Sequence, residues 1–251
     1  MLYLNGRHCK NSIVILNFGS IVGEQRKNSI VILDFGPIVG EQRKNLIILF
    51  LRAFMALFFY KLGEYMINQR QFNIIKEAFL IYERDFNNYE FTYTYRHRKS
   101  NKLLKLRISF TAKNFMHLCG VTYKTRATQF YRALKNNRIS LKDIYPKNDG
   151  STNQKLGVIS LLHLLTSSGV RICDKGSFYN LQFNKAIRSG KMIIALTCVE
   201  TPNNYQPQSL LALNTSNQKR QSKAFSHSHE VIKISKVKIN SENEPLIIFE
   251  K

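Results

Sequence analysis

Three observations predict an α+β fold with N-terminal helices packed on a mainly antiparallel β-sheet. Helical periodicity dominates before Gly169, short strand-like segments recur after it, and nothing alternates strand with helix in the βαβ manner that builds a parallel sheet. Phe72, Ile75, Phe79, Tyr82 and Phe86 recur at steps of three and four, which predicts an amphipathic helix over about 68–86, ended by Asn87 and Asn88. Phe91, Tyr93 and Tyr95 alternate with Thr92 and Thr94, as in a strand with one buried face. A polar turn over 96–101 follows. Leu104, Leu106, Ile108 and Phe110 then alternate with Lys105, Arg107 and Ser109, completing a hairpin with a basic outer face.

Residues 113–123 read as a short turn. Residues 127–138 read as a helix with Phe130, Tyr131 and Leu134 inward, and residues 155–166 as a second clear helix built on Leu156, Ile159, Leu162 and Leu165. Beyond Gly169, strands are expected over 170–174, 178–183, 192–200, 210–215 and 230–239, punctuated by Gly176, Gly190, Pro202 and Pro207. The polar, basic run 214–229 reads as a long loop or hairpin tip.

The first 65 residues are expected to stand outside this fold. Residues 11–27 and 28–44 are near-identical copies that differ only at Asn17/Asp34 and Ser20/Pro37. Two units fall short of the three or so that a solenoid needs, so they read as a recent duplication of the coding sequence. Residues 46–60 are apolar but interrupted by Arg52, and a membrane span wants roughly 20 residues without a central charge. Gly63–Glu64 is compatible with a ribosome-binding sequence ahead of Met66. The expectation is therefore that translation starts at Met66 and that 66–251 forms one basic domain.

Charge is where the composition departs from ordinary globular proteins. Thirty-eight Lys and Arg face sixteen Asp and Glu, a net charge of +22. Such an excess seeks polyanions, nucleic acid first and anionic lipid second. The cysteines Cys9, Cys119, Cys173 and Cys198 show no CxxC spacing and no paired histidines, so they read as small buried residues in a reducing, cytoplasmic compartment.

His117, within NFMHLCG, has the titration range of a general base or acid, and equally suits a half-buried core position. Arg96, Arg98, Lys105 and Arg107 gather on one hairpin, near Tyr93 and Tyr95, in the basic-plus-aromatic mix that suits single-stranded RNA or a solvated turn over core tyrosines. Lys219, Arg220 and Lys223 crowd the late loop with His227 and His229, where a phosphate grip or a plain flexible loop are both open. No metal site is expected at those histidines, and no motif calls for a cofactor. There is no P-loop, GxGxxG, HExxH or GxSxG, and acidic residues are too sparse for a two-metal nuclease.

FTAKNFMHLCGV, FYRALKNNRIS, DGSTNQKL and YQPQSLLAL together resemble the phage-associated nuclease-like domains of the barnase, EndoU, colicin E5/D and RelE group, fourth phage subfamily, over about residues 67–215. The resemblance implies a metal-independent ribonuclease-like fold of helices on an antiparallel sheet, of the toxin or effector type found in phage and mobile elements. The matching positions are Asn114, Phe115, His117, Leu118 and Gly120, then Phe130 and Tyr131, then Lys155 and Leu156, then Pro207, Ser209 and Leu210. On this reading His117 is base or acid, Lys113 and Lys155 supply positive charge, Ser209 bonds a phosphate oxygen, and Tyr131 joins the nucleic-acid face. RNA is the expected partner, with an immunity protein as a second. The competing readings are a non-catalytic nucleic-acid-binding module of the same fold, and a membrane-tethered accessory protein if residues 46–60 insert.

Overall fold

The computed structural model describes residues 13–22, 25–34, 66–213 and 225–251. The chain divides into two compact units, Met1–Leu62 and Gly63–Lys251. In the first, β1 (Ile13–Val22) and β2 (Gln25–Asp34) pair antiparallel, from Ile13↔Asp34 to Val22↔Gln25. The apolar segment 46–60 lies outside the described residues. Among the described residues, no helix is long and apolar enough to cross a membrane.

The second unit corrects the predicted architecture. Its strands do not form an open antiparallel sheet under a helical layer. They close into a seven-stranded mixed barrel in the order β13-β3-β4-β12-β11-β10-β7 and back to β13, with β14 hung outside on β13. These are β3 (Tyr89–Arg96), β4 (Leu103–Phe110), β7 (Arg171–Cys173), β10 (Lys185–Arg188), β11 (Ile194–Glu200), β12 (Tyr205–Ala212), β13 (Ser228–Lys238) and β14 (Leu246–Glu250). Two seams make the ring. The start of β13 pairs with β7 at Ser228↔Cys173, His229↔Ile172 and Glu230↔Arg171. On the other side β12 meets β4 in parallel through Tyr205↔Ile108. Alternation reports which face a residue takes, not which strand it will pair with. At 11 residues, β13 is long enough to meet β7 and then β14 along one edge while β3 occupies the other.

The helices serve one shared core. α1 (Gln69–Asp85) starts with a capping box in which Asn68 and Gln71 exchange side-chain and backbone bonds. Its buried Ile75, Phe79 and Tyr82 meet Phe91, Tyr93, Leu106, Ile108 and Phe110 from the first two barrel strands. Phe79, Tyr82, Phe86, Phe110, Phe115 and Tyr131 make an aromatic cluster, mostly edge-on or tilted, with centroids 5.0–6.4 Å apart. This core takes side chains from all seven ring strands. A smaller one, with Cys173, Phe178, Phe183, Ala186, Ala195 and Phe225, lies on the opposite strand faces, under the hairpin of β8 (Gly176–Phe178) and β9 (Leu181–Phe183).

Local departures from the sequence reading have local causes. The expected turn at 113–123 is helix α2 (Ala112–Cys119) followed by β5 (Val121–Tyr123), because Thr111 and Asn114 form a capping box and Gly120 stops the helix at φ +68°. α3 (Ala127–Lys135) falls where predicted. The single helix expected over 155–166 is split at Gly157 into α4 (Ser151–Leu156) and a 3₁₀ helix (Ile159–Leu165). β12 begins five residues before the expected 210, with Pro207 accommodated by a register shift opposite Thr197/Cys198. β6 (Ile144–Pro146) pairs with β5.

Candidate functional site

The C-terminal end of α2 is built by a chain of three hydrogen bonds, two of them made by Gly120. The Gly120 N–H donates to the His117 carbonyl at 3.1 Å, and the Thr152 hydroxyl donates to the Gly120 carbonyl at 2.5 Å. Thr152 accepts in turn from the Lys147 N–H at 2.8 Å. These bonds dock α4 and the loop before it onto α2. The Lys155 ammonium then donates to the His117 carbonyl at 3.3 Å, a cation at a helix C-terminus. A methyl group at Gly120 would sit 2.6 Å from Lys155 Cδ, so only glycine allows this approach.

The structure therefore brings together His117 and Lys155, 38 residues apart, and adds Lys147. Lys155 is 7 % exposed. Burial pushes its ammonium down to about 8, aided by Lys147 and opposed by Asp149 and Cys119. The His117 side chain stays open to solvent. Burial of part of the ring, then the charges of Lys147 and Lys155, hold its pKa below the ordinary histidine value, so it is neutral at pH 7. Burial alone would raise the Asp149 carboxyl, but Ser151 and the two lysines outweigh that and keep it ionised. Beside this group opens a shallow cleft of about 300 Å³, lined by Thr122, Pro146, Lys147, Asn148 and Asp149.

Lys113 is exposed on α2, four residues before His117 and hence on the same helix face. Ser209 is buried on β12, and it alternates with Leu210 and Ala212, which face the shared core. It thus points to the opposite face, and no hydrogen bond joins it to His117 or Lys155. Tyr131, Tyr93 and Tyr95 are buried in the core, and the Tyr131 hydroxyl donates to Glu83. Arg96, Arg98, Lys105 and Arg107 are all exposed, with Lys99 and Lys102 beside them, and none forms an ion pair with a carboxylate among the described residues. Between Glu90 and Asp143 the chain carries thirteen Lys and Arg and no acidic residue. Lys219, Arg220 and Lys223 lie outside the described residues.

A second polar group occupies the barrel mouth, where β3 and β7 end and β10, β12 and β13 begin. His229 Nδ1 accepts from the Arg98 N–H at 3.1 Å, and Nε2 donates to Asp174 at 2.8 Å. Lys185 bonds the other Asp174 oxygen at 2.6 Å and lies 5.9 Å from the Tyr95 ring centre. His97 stands 4.5 Å from His229, ring centre to ring centre, and its Nδ1 accepts from the Ser100 N–H at 3.3 Å. The ligand atoms of His97, Asp174 and His229 lie within 4.8 Å of one another. The wiring does not fit a metal. His229 Nδ1 accepts from the Arg98 N–H and its Nε2 proton is held by Asp174, whereas a metal at that Nε2 needs the proton on Nδ1. Lys185 also already neutralises Asp174. The group is a clasp that ties the closing strands to the hairpin tip.

Sequence reasoning missed this clasp because Asp174 is 55 residues from its histidine and sits in no motif. It missed Lys147 because a lysine in a polar turn looks solvated, and its place beside His117 rests on the Thr152 contact. No curated protein and no solved structure matches the chain. The family model for phage-Barnase-EndoU-ColicinE5/D-RelE like nuclease 4 matches residues 74–251, and the chain belongs to that nuclease family.

Proposed function

We propose that this chain is a metal-independent endoribonuclease whose chemistry is centred on His117, Lys155 and Lys147. The observation that carries the reading is a neutral, solvent-open imidazole flanked by two lysines, one of them buried. RNA cleavage without a metal uses the 2′-hydroxyl as nucleophile. His117 accepts the 2′-hydroxyl proton, the 2′-oxygen attacks phosphorus, and the 5′-oxygen leaves with a proton from an acid. Lys155, still mostly protonated at pH 7, is the donor, and Lys147 offsets the charge that builds on the phosphorane oxygens. The exposed cations of the β3–β4 hairpin hold the RNA backbone. The family membership supports a nuclease; the choice of RNA rests on the acid–base pair, which suits a substrate whose own 2′-hydroxyl is the nucleophile.

The test is His117→Ala, assayed on total RNA in EDTA. Cleavage is expected to fall by about 10²–10⁴-fold while salt-sensitive binding stays within a few fold. Full activity in the variant removes His117 from the mechanism. Binding with no cleavage by the unaltered chain leaves a nucleic-acid-binding module. Growth arrest on expression, relieved by the same substitution, would support a toxin or effector role.

A further inference from the structure

We propose that the free edge of β14 pairs with β14 of a second copy of this chain, joining two barrels through one continuous antiparallel sheet. Among the described residues, β14 is the last strand of the sheet and is bonded to β13 alone. The Lys251 N–H donates inward to the Ile232 carbonyl at 2.9 Å, so strand alternation turns the Glu250 N–H toward the free edge. Leu246, Ile247 and Ile248 are 61, 49 and 37 % exposed. Phe249 packs against the shared core, and Ile248 is the extra residue of a bulge opposite Ile234 and Ser235, so the open apolar part of β14 is Leu246, Ile247 and Ile248. Proteins guard such edges with charges, bulges or covers, because a bare apolar edge templates pairing. Here the apolar run holds no charge, and the bulge at Ile248 is the guard it carries.

The charge distribution selects the occupant. Residues 66–251 carry thirty Lys and Arg against twelve Asp and Glu, but residues 228–251 carry four of each. The whole surplus of 18 positive charges therefore precedes Ser228. Two copies of so cationic a chain repel one another over most of their surface, and this arm is where they meet without that penalty. A nucleic acid or an acidic protein finds no surplus of cations here and a large one on the β3–β4 hairpin. A five-residue strand pair buries less than the roughly 1,200 Å² of a standard interface, so the dimer belongs in the micromolar class.

Sedimentation of the full chain from roughly 1 to 100 µM tests this, a range that brackets micromolar association. The expected result is a monomer–dimer equilibrium that persists at high salt, since backbone bonds and apolar contacts carry it. Leu246→Lys with Ile247→Lys should give monomer throughout, with unfolding and RNA cleavage unchanged. Leu246→Lys alone should weaken association at least tenfold. Leu103→Lys with Leu104→Lys, which charges the exposed start of β4 instead, should leave it intact. A native chain that is monomeric at the top concentration, including one whose own residues 1–65 cover the edge, overturns the proposal. So does a dimer that survives the β14 double substitution.

Discussion

Replacing Lys155 with methionine separates stability from activity. A fall in the ammonium pKa from 10.5 to about 8 corresponds to about 3 kcal/mol spent on holding the charge in this setting. Lys155 is buried, so solvent screening reduces that figure little. Methionine keeps a similar apolar stem against Gly120 and discards the charge. It also gives up a long, 3.3 Å bond to the His117 carbonyl, worth about 1 kcal/mol, although the Gly120 N–H still serves that carbonyl. The net expectation is a gain of about 1–2 kcal/mol at pH 7, or about 2–8 °C in Tm for a domain of this size. RNA cleavage should fall with it. The sign of the pH dependence gives a second readout. The unfolded chain binds the Lys155 proton up to about 10.5 and the folded chain only to about 8, so this group's contribution to stability rises with pH between those values. Differential scanning calorimetry at pH 7 and at about pH 10 measures both. A variant less stable than the parent at pH 7, with the same change in Tm toward pH 10, would refute the reasoning.

Cleavage should follow a bell-shaped pH profile, with an acid limb below the ordinary histidine range as His117 protonates and an alkaline limb near 8 as Lys155 loses its proton; a rate that is flat between about pH 5 and 9 contradicts both assignments. Gly120→Ala imposes a left-handed backbone on a residue with Cβ and drives that Cβ into Lys155, so urea titration should show a loss of about 1–2 kcal/mol, and cleavage should fall because Lys155 is displaced. His229→Leu leaves the Arg98 N–H without its acceptor and one Asp174 oxygen without its donor, Lys185 still holding the other, and should cost about 1–3 kcal/mol with the β3–β4 hairpin tip exchanging its amides faster; unchanged exchange at Arg98 would mean that the clasp does not hold the tip.

How much was legible in the sequence follows from what local pattern can report. The periodicity of Phe72 to Phe86, and the alternation on both strands of the first hairpin, fixed those elements to within a few residues, because each buries one face against the same core. Ring closure was not legible. It depends on three residue pairs between β13 and β7 and one bridge between β12 and β4, all between segments far apart in the chain. β10 and β14 escaped because KAIR is too short to show a period and LIIFE does not alternate. The approach of Lys155 to His117 was suggested by the family motifs and not by periodicity. What those motifs could not supply was Gly120 as the reason the two meet, or the outward turn of Ser209.

The most direct test of the central claim is the chemistry of the cut ends when the chain acts on RNA in EDTA. Cleavage that leaves 2′,3′-cyclic phosphate ends, and that vanishes in His117→Ala, is the result expected of a 2′-hydroxyl nucleophile served by a neutral imidazole. Products with 3′-hydroxyl ends, or activity that appears only when a divalent cation is restored, would contradict it.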